Sequence, residues 1–232
     1  MAEAALENPD LYDLTMSDEA QPLLDRVKKH VKENVDPWTE EYHALGKEQA
    51  KIDRWDHHPK QVELMEAAKQ KAKENGLWNF FLPGSESMEG LTNLDYTYIA
   101  NELGKNGLSS QTMNCSAPDT GNMEVLERVG TQEQKDQWLK PLLNGEIRSA
   151  FAMTEPAIPS SDAKNIRTQA VLEGDEWVIN GEKYYISGAG DPRCKVMITM
   201  VKTSPDAAPN RQQSQILVHI DTKGEHVLEI SL

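Results

Sequence analysis

Cysteine is nearly absent: Cys115 and Cys194 are the two in 232 residues. They lie far apart, with no CxxC pair and no histidine at ligand spacing. That excludes a disulfide framework and a cysteine-based zinc site, and the pair reads as two reduced thiols. Long apolar runs are missing too. None approaches the roughly 20 residues that cross a bilayer, so no membrane span is expected. The stretch from Met1 to Pro9 is acidic and holds neither a secretory core nor an Arg-rich transit pattern, so the chain reads as intracellular. Positive charge is scarce, with 24 Lys and Arg against 38 Asp and Glu and a net charge of −14. Such a field repels nucleic acid and anionic membranes, and an anionic ligand would need local donors acting against it. His57, His58, His219 and His226 show no metal-ligand spacing, so no metal is expected.

With 38% hydrophobic and 27% charged residues, the chain has ordinary globular composition and length for one or two domains. From Asp18 to Lys32, Leu24, Val27 and Val31 recur at helical spacing opposite Asp25, Lys28, Lys29 and Lys32. Pro59 suits a first helical position, and the helix it opens would turn Val62, Met65, Ala68 and Ala72 inward before Asn75-Gly76. Leu77 to Gly84 is an apolar connector. Thr92 and Asp95 form a capping box before Tyr96, Ile99 and Leu103, with Gly104 as the stop. Met123 to Val129 is a short helix, and Thr131 with Gln134 repeats the capping box before Pro141.

Beyond Asn144-Gly145 the period changes to two. Arg167 to Val171, Glu176 to Ile179, Lys183 to Ser187, Lys195 to Val201 and Gln215 to Ile220 read as strands, with Asn180-Gly181 as a hairpin signal. The expected fold class is α+β: an all-helical domain over residues 1–147, then a small antiparallel β-barrel or sandwich over 148–232.

Two stretches carry a more specific message. One is Phe151-Ala-Met-Thr-Glu-Pro-Ala-Ile-Pro-Ser-Ser-Asp162, and the other is Asn180-Gly-Glu-Lys-Tyr-Tyr-Ile-Ser-Gly-Ala189. Together they resemble the flavin-binding signature of the acyl-CoA dehydrogenases. That family has a helical domain, a middle β domain and a second helical bundle, of which this sequence matches the first two. The common pattern has two residues between Glu-Pro and Gly-Ser-Asp, whereas here three residues separate Glu155-Pro156 from Ser160-Ser161-Asp162. The longer loop, Asn165 and Ala117 to Met123 are similar to the branch that includes animal members fused to a kinase-like domain and their stand-alone bacterial relatives.

The resemblance implies FAD as cofactor. Phe151, Ala152, Met153 and Thr154 would border the polar rim of the isoalloxazine, with Ser160 and Ser161 on the adjoining loop. Ser161 would also contact the substrate thioester region, and Asp162 would brace the loop through Asx-type bonding. Tyr185, Ile186 and Ser187 stand where the family usually has Trp-Ile-Thr against the ring. Tyr keeps a flat face and Ser a hydroxyl, so stacking and hydrogen bonding are both retained; a core position for Tyr185 is the competing reading.

The implied reaction takes a proton from the carbon next to a fatty acyl-CoA thioester and passes a hydride from the following carbon to flavin. The family's usual base lies in the second bundle, so no catalytic residue is assigned, and Glu155 is read as a loop residue. Also implied are an electron-transfer flavoprotein or similar acceptor, a homo-oligomer, and a cytoplasmic location in a bacterium or a peroxisomal or mitochondrial one in a eukaryote. A non-catalytic fragment of the fold and a related flavin oxidase are the rivals. Lys164 and Arg167 read as solvated charges rather than a phosphate site, and Gly188-Ala189-Gly190 lacks the context of a dinucleotide fingerprint.

Overall fold

The computed structural model describes residues 14–81 and 91–224. The chain forms two compact units that divide between Ser116 and Ala117.

The first unit is helical. Helix α1 (Gln21–Asn34) buries Leu23, Leu24, Val27 and Val31, the stripe its sequence announces. Helix α2 (Thr39–Gln49) follows a 3-10 turn at Asp36–Trp38, and α3 (Pro59–Glu74) starts at the proline. The cap of α3 is His58. Its ring accepts a hydrogen bond from the Lys60 N–H at 3.1 Å, while Gln61 Oε1 accepts one from the His58 N–H at 3.1 Å.

That cap sets the helix rotation. Gln61 also donates from Nε2 to the Tyr42 carbonyl at 3.0 Å, which fixes it inward. The buried face is therefore Gln61, Met65, Ala68, Lys69 and Ala72, and Val62, expected inside, is 46% exposed. Helix α4 (Asn93–Leu103) opens with the anticipated Thr92–Asp95 capping box and ends at Gly104. It buries Ile99 and Leu103. A short α5 (Ser109–Thr112) precedes the division. The connector from Leu77 runs beyond the described residues after Phe81.

The second unit begins with α6 (Asp119–Val129), then a helical run through Gln132–Gln134, a π-helical turn at Lys135–Leu139 and Lys140–Asn144. Gly145 ends that run with a left-handed φ of 72°. Strand β1 (Arg148–Ala152) leads into the sheet, followed by β2 (Gln169–Glu173), β3 (Glu176–Asn180), β4 (Cys194–Lys202) and β5 (Gln213–His219).

Strand β4 is the centre. It runs parallel to β1, with Ser149 opposite Val196 and Ala152 opposite Thr199, and meets β2 in parallel at Gln169 and Lys202. Along its other edge β5 pairs antiparallel, from Val196–His219 to Lys202–Gln213. The sheet is thus mixed rather than purely antiparallel. Among the described residues no helix is long and apolar enough to cross a membrane.

Two local expectations are overturned. The hairpin turn is Gly174-Asp175, joining β2 to β3, with Gly174 at φ 64°. Asn180-Gly181 is no turn between strands, and Lys183 to Ser187 is not a strand. Gly181 is needed for closeness: a Cβ there would stand 2.6 Å from Thr168 Cβ. The following run cannot extend, because Tyr185 sits at φ 55°.

A buried polar cluster joins α6 to β1. Asp119 Oδ1 accepts hydrogen bonds from the Ser149 N–H and hydroxyl, both at 2.7 Å, and the same carboxylate is paired with Arg148. Asn122 Nδ2 donates to Ser149 Oγ at 2.9 Å and to the Ala150 carbonyl at 3.0 Å. The stretch Ala117 to Met123 therefore grips the strand that carries the first half of the signature.

Removing Asp119 leaves a mostly buried guanidinium and a buried N–H without their acceptor. Asp119→Ala is expected to cost about 3 kcal/mol or more in denaturant unfolding. Gly181→Ala, which drives a methyl into Thr168, is expected to lower stability by about 1–3 kcal/mol; a variant as stable as the parent would contradict the packing.

Candidate functional site

The two halves of the signature are neighbours. Beyond β1 the chain runs on through Met153 and Thr154, and the Thr154 carbonyl accepts a hydrogen bond from the Tyr184 N–H at 2.8 Å. Lys183 Nζ donates to the Met153 carbonyl at 3.1 Å. Ile186, after Tyr185, packs against the cluster of Ala150, Ala152, Cys194 and Met197. Backbone and side-chain contacts thus hold residues 183–186 alongside residues 150–154.

The anchor of this arrangement is Glu155. Its Oε1 accepts from the Thr168 N–H at 2.8 Å and from Lys183 Nζ at 2.9 Å, and Oε2 accepts from the Arg167 N–H at 2.8 Å. The carboxylate side chain is 5% exposed and the lysine 11%. Burial by itself would raise the Glu155 pKa, but hydrogen bonds from Thr168, Lys183 and Arg167 outweigh it and bring the group from 4.5 down to about 2. Burial lowers the Lys183 pKa, against the pull of Glu155 in the other direction.

A carboxylate so strongly held in its ionised form has little proton affinity, so Glu155 is a brace rather than a base. Lys183 has the matching role, which its sequence position did not suggest. The available signal was that Lys183 is the one basic residue in either half of the signature.

The loop after Glu155 closes on itself. Ser160 is buried, and its hydroxyl accepts from the Glu155 N–H at 2.7 Å while donating to the Ile158 carbonyl at 3.2 Å. Its single donor hydrogen is used inside the loop. Asp162 accepts from the Lys164 N–H at 3.1 Å, an Asx-type brace, and Asn165 Nδ2 donates to the Pro159 carbonyl at 3.3 Å. Ser161 is exposed on the same loop.

The remaining candidates divide by exposure. Ala152 is buried, Phe151, Met153 and Ile186 are half-buried, and Thr154, Tyr185 and Ser187 are exposed. Tyr185 is 67% exposed, so it is not a core residue. The surface offered beside the Thr154–Tyr184 bond thus has an aromatic ring and the Thr154 hydroxyl, over a floor of small and aliphatic side chains. A flat, heteroatom-edged ring fits such chemistry. Among the described residues no group of His, Cys, Asp and Glu could hold a metal ion.

The Glu155 pKa has a definite pH signature. A depressed folded value means that its stabilisation is complete above the ordinary pKa of 4.5, declines as pH falls, and is gone below about 2. Its size is about 3 kcal/mol. Glu155→Gln is expected to lose that amount at pH 7 in denaturant unfolding, with the gap to the parent closing between pH 4.5 and 2. A gap independent of pH would contradict the assignment.

Known proteins resemble the chain along most of its length. A family model described as acyl-CoA dehydrogenase, N-terminal domain, matches residues 17–146, and one described as acyl-CoA dehydrogenase, middle domain, matches residues 150–231. The "Probable acyl-CoA dehydrogenase FadE2" of Mycobacterium tuberculosis is 55% identical over 162 residues, covering 69% of this chain and 39% of that protein. "Acyl-CoA dehydrogenase family member 10" of Mus musculus is 45% identical over 218 residues, covering 92% of this chain and 20% of that protein. A solved structure from Mycobacterium abscessus, assigned to the acyl-CoA dehydrogenases, superposes with a TM-score of 0.83 at 42% identity, covering 93% of this chain and 54% of that one. The chain therefore spans about half of that solved relative and less of the two curated ones. Matched by both domain models along nearly its whole length, the chain belongs to the acyl-CoA dehydrogenase family.

Proposed function

We propose that this chain supplies one wall of an FAD site in an acyl-CoA dehydrogenase acting on a fatty acyl-CoA thioester. In that reading residues 1–147 are the helical domain and 148–232 the middle β domain. The observation that carries it is the Tyr184 N–H to Thr154 carbonyl bond of 2.8 Å, which joins the two halves of the signature beside two exposed candidates, Thr154 and Tyr185.

Thr154 offers its hydroxyl to the polar rim of the ring, and Tyr185 offers an aromatic face. Ser161 and Ser187 are exposed hydroxyls available to cofactor or substrate. Phe151, Ala152, Met153 and Ile186 contribute backbone edge and apolar floor, while Ser160 shapes the loop from within. Bound FAD would accept the hydride released as the thioester is desaturated. Glu155 keeps its charge paired with Lys183 and takes no proton at neutral pH, so the base is another residue. Electrons then pass to an electron-transfer flavoprotein or similar acceptor, and the working form is a homo-oligomer.

The test is optical. Protein purified in the presence of FAD is expected to be yellow, and its flavin band to bleach anaerobically on addition of a fatty acyl-CoA. Slow return of the band in air alone marks a dehydrogenase, and rapid return an oxidase. A protein that takes up no FAD would contradict the proposal, and one that binds FAD whose band acyl-CoA leaves unchanged is the non-catalytic fragment.

A further inference from the structure

Tyr184 lies outside the flavin-facing set drawn from the signature, yet the structure ties it to both halves. Its N–H donates to the Thr154 carbonyl at 2.8 Å, and its ring meets that of Tyr185 with centroids 3.8 Å apart and planes inclined by 45°. Tyr185 has two features that need such support. It is a non-glycine residue at φ 55°, in the left-handed region that residues with a Cβ rarely adopt. It is also 67% exposed, so no core packing holds its ring. A large exposed side chain on a left-handed backbone would otherwise sample several rotamers, and the Tyr184 ring is the aromatic contact recorded for it.

The preceding residue is fixed in turn. Lys183 is bound to Glu155 and to the Met153 carbonyl, so Tyr184 stands on a pinned backbone while its ring faces its neighbour. The chain of support runs from buried ion pair to Tyr184 to Tyr185, and ends at an exposed aromatic face.

We infer that Tyr184 is a positioning residue for the flavin site, holding the Tyr185 ring beside Thr154 through ring contact. This rests on the reading of Thr154 and Tyr185 as cofactor neighbours. Tyr184 itself touches no cofactor in this account; its effect on binding passes through Tyr185.

The experiment is FAD titration by flavin fluorescence, with the visible spectrum of the bound flavin, on the parent protein and on Tyr184→Leu and Tyr184→Phe. A ring pair is worth about 0.5–1.5 kcal/mol, so Tyr184→Leu is expected to weaken FAD binding by roughly twofold to twelvefold and to shift the bound-flavin spectrum. Tyr184→Phe keeps the ring and is expected to restore most of the affinity and the parent spectrum, a rescue that simple loss of stability would not produce. If the parent binds FAD and Tyr184→Leu binds it equally well with an unchanged spectrum, the inference fails alone. If Tyr184→Leu does not fold, a Tyr184→Phe affinity weakened tenfold would equally overturn it, and a parent-like one supports it. A parent that binds no FAD overturns the flavin reading and this inference with it.

Discussion

The second unit depends on one buried ion pair. Glu155 and Lys183 lie far apart in sequence, and each is almost closed off from solvent. Two such charges are costly to bury unless every remaining bonding position is filled. Here most are: the Thr168 and Arg167 N–H groups serve the carboxylate, and the Met153 carbonyl takes a second ammonium hydrogen. The pair therefore fastens three stretches of chain, residues 153–155, 167–168 and 183, to one point. Around that point the Ser160 hydroxyl closes the long loop, and Tyr184 is drawn onto Thr154.

This explains why the signature is split in two. A site assembled from one continuous loop would need no long-range clamp. Residues 153–155 lie beyond the end of β1 and residues 183–187 form an irregular segment after β3, so neither run is in a ladder that would fix it against the other. The Asp119, Arg148, Ser149 and Asn122 cluster plays the corresponding part at the start of β1, so the strand is held at both ends by buried polar groups. Between these anchors the floor is apolar and small, with Ala150 and Ala152 packed against Cys194 and Met197.

Much of this was legible in the residues. The stripe of α1, the proline start of α3, the two capping boxes and the change of period after Gly145 all follow from local spacing, and local spacing is what periodicity reports. The family resemblance singled out two stretches that the structure places side by side. What stayed hidden depends on contacts made at a distance. Val62 turned outward because Gln61 is required by the cap and by the Tyr42 carbonyl, which no periodicity records. Asn180-Gly181 looked like a turn because glycine permits one, whereas its glycine answers to the side chain of Thr168. Ser160 resembled a ligand donor, but its hydroxyl completes the loop. Tyr185 read as a strand residue since its neighbours alternate, and only the backbone reveals the left-handed bend.

The central claim is that residues 151–154 and 183–187 form a single cofactor-facing surface fastened by Glu155 and Lys183. Hydrogen–deuterium exchange with and without FAD addresses it most directly. The account predicts that FAD slows exchange in both segments together, with the same dependence on FAD concentration. Protection confined to one segment, or absent from both while FAD is bound, would contradict it.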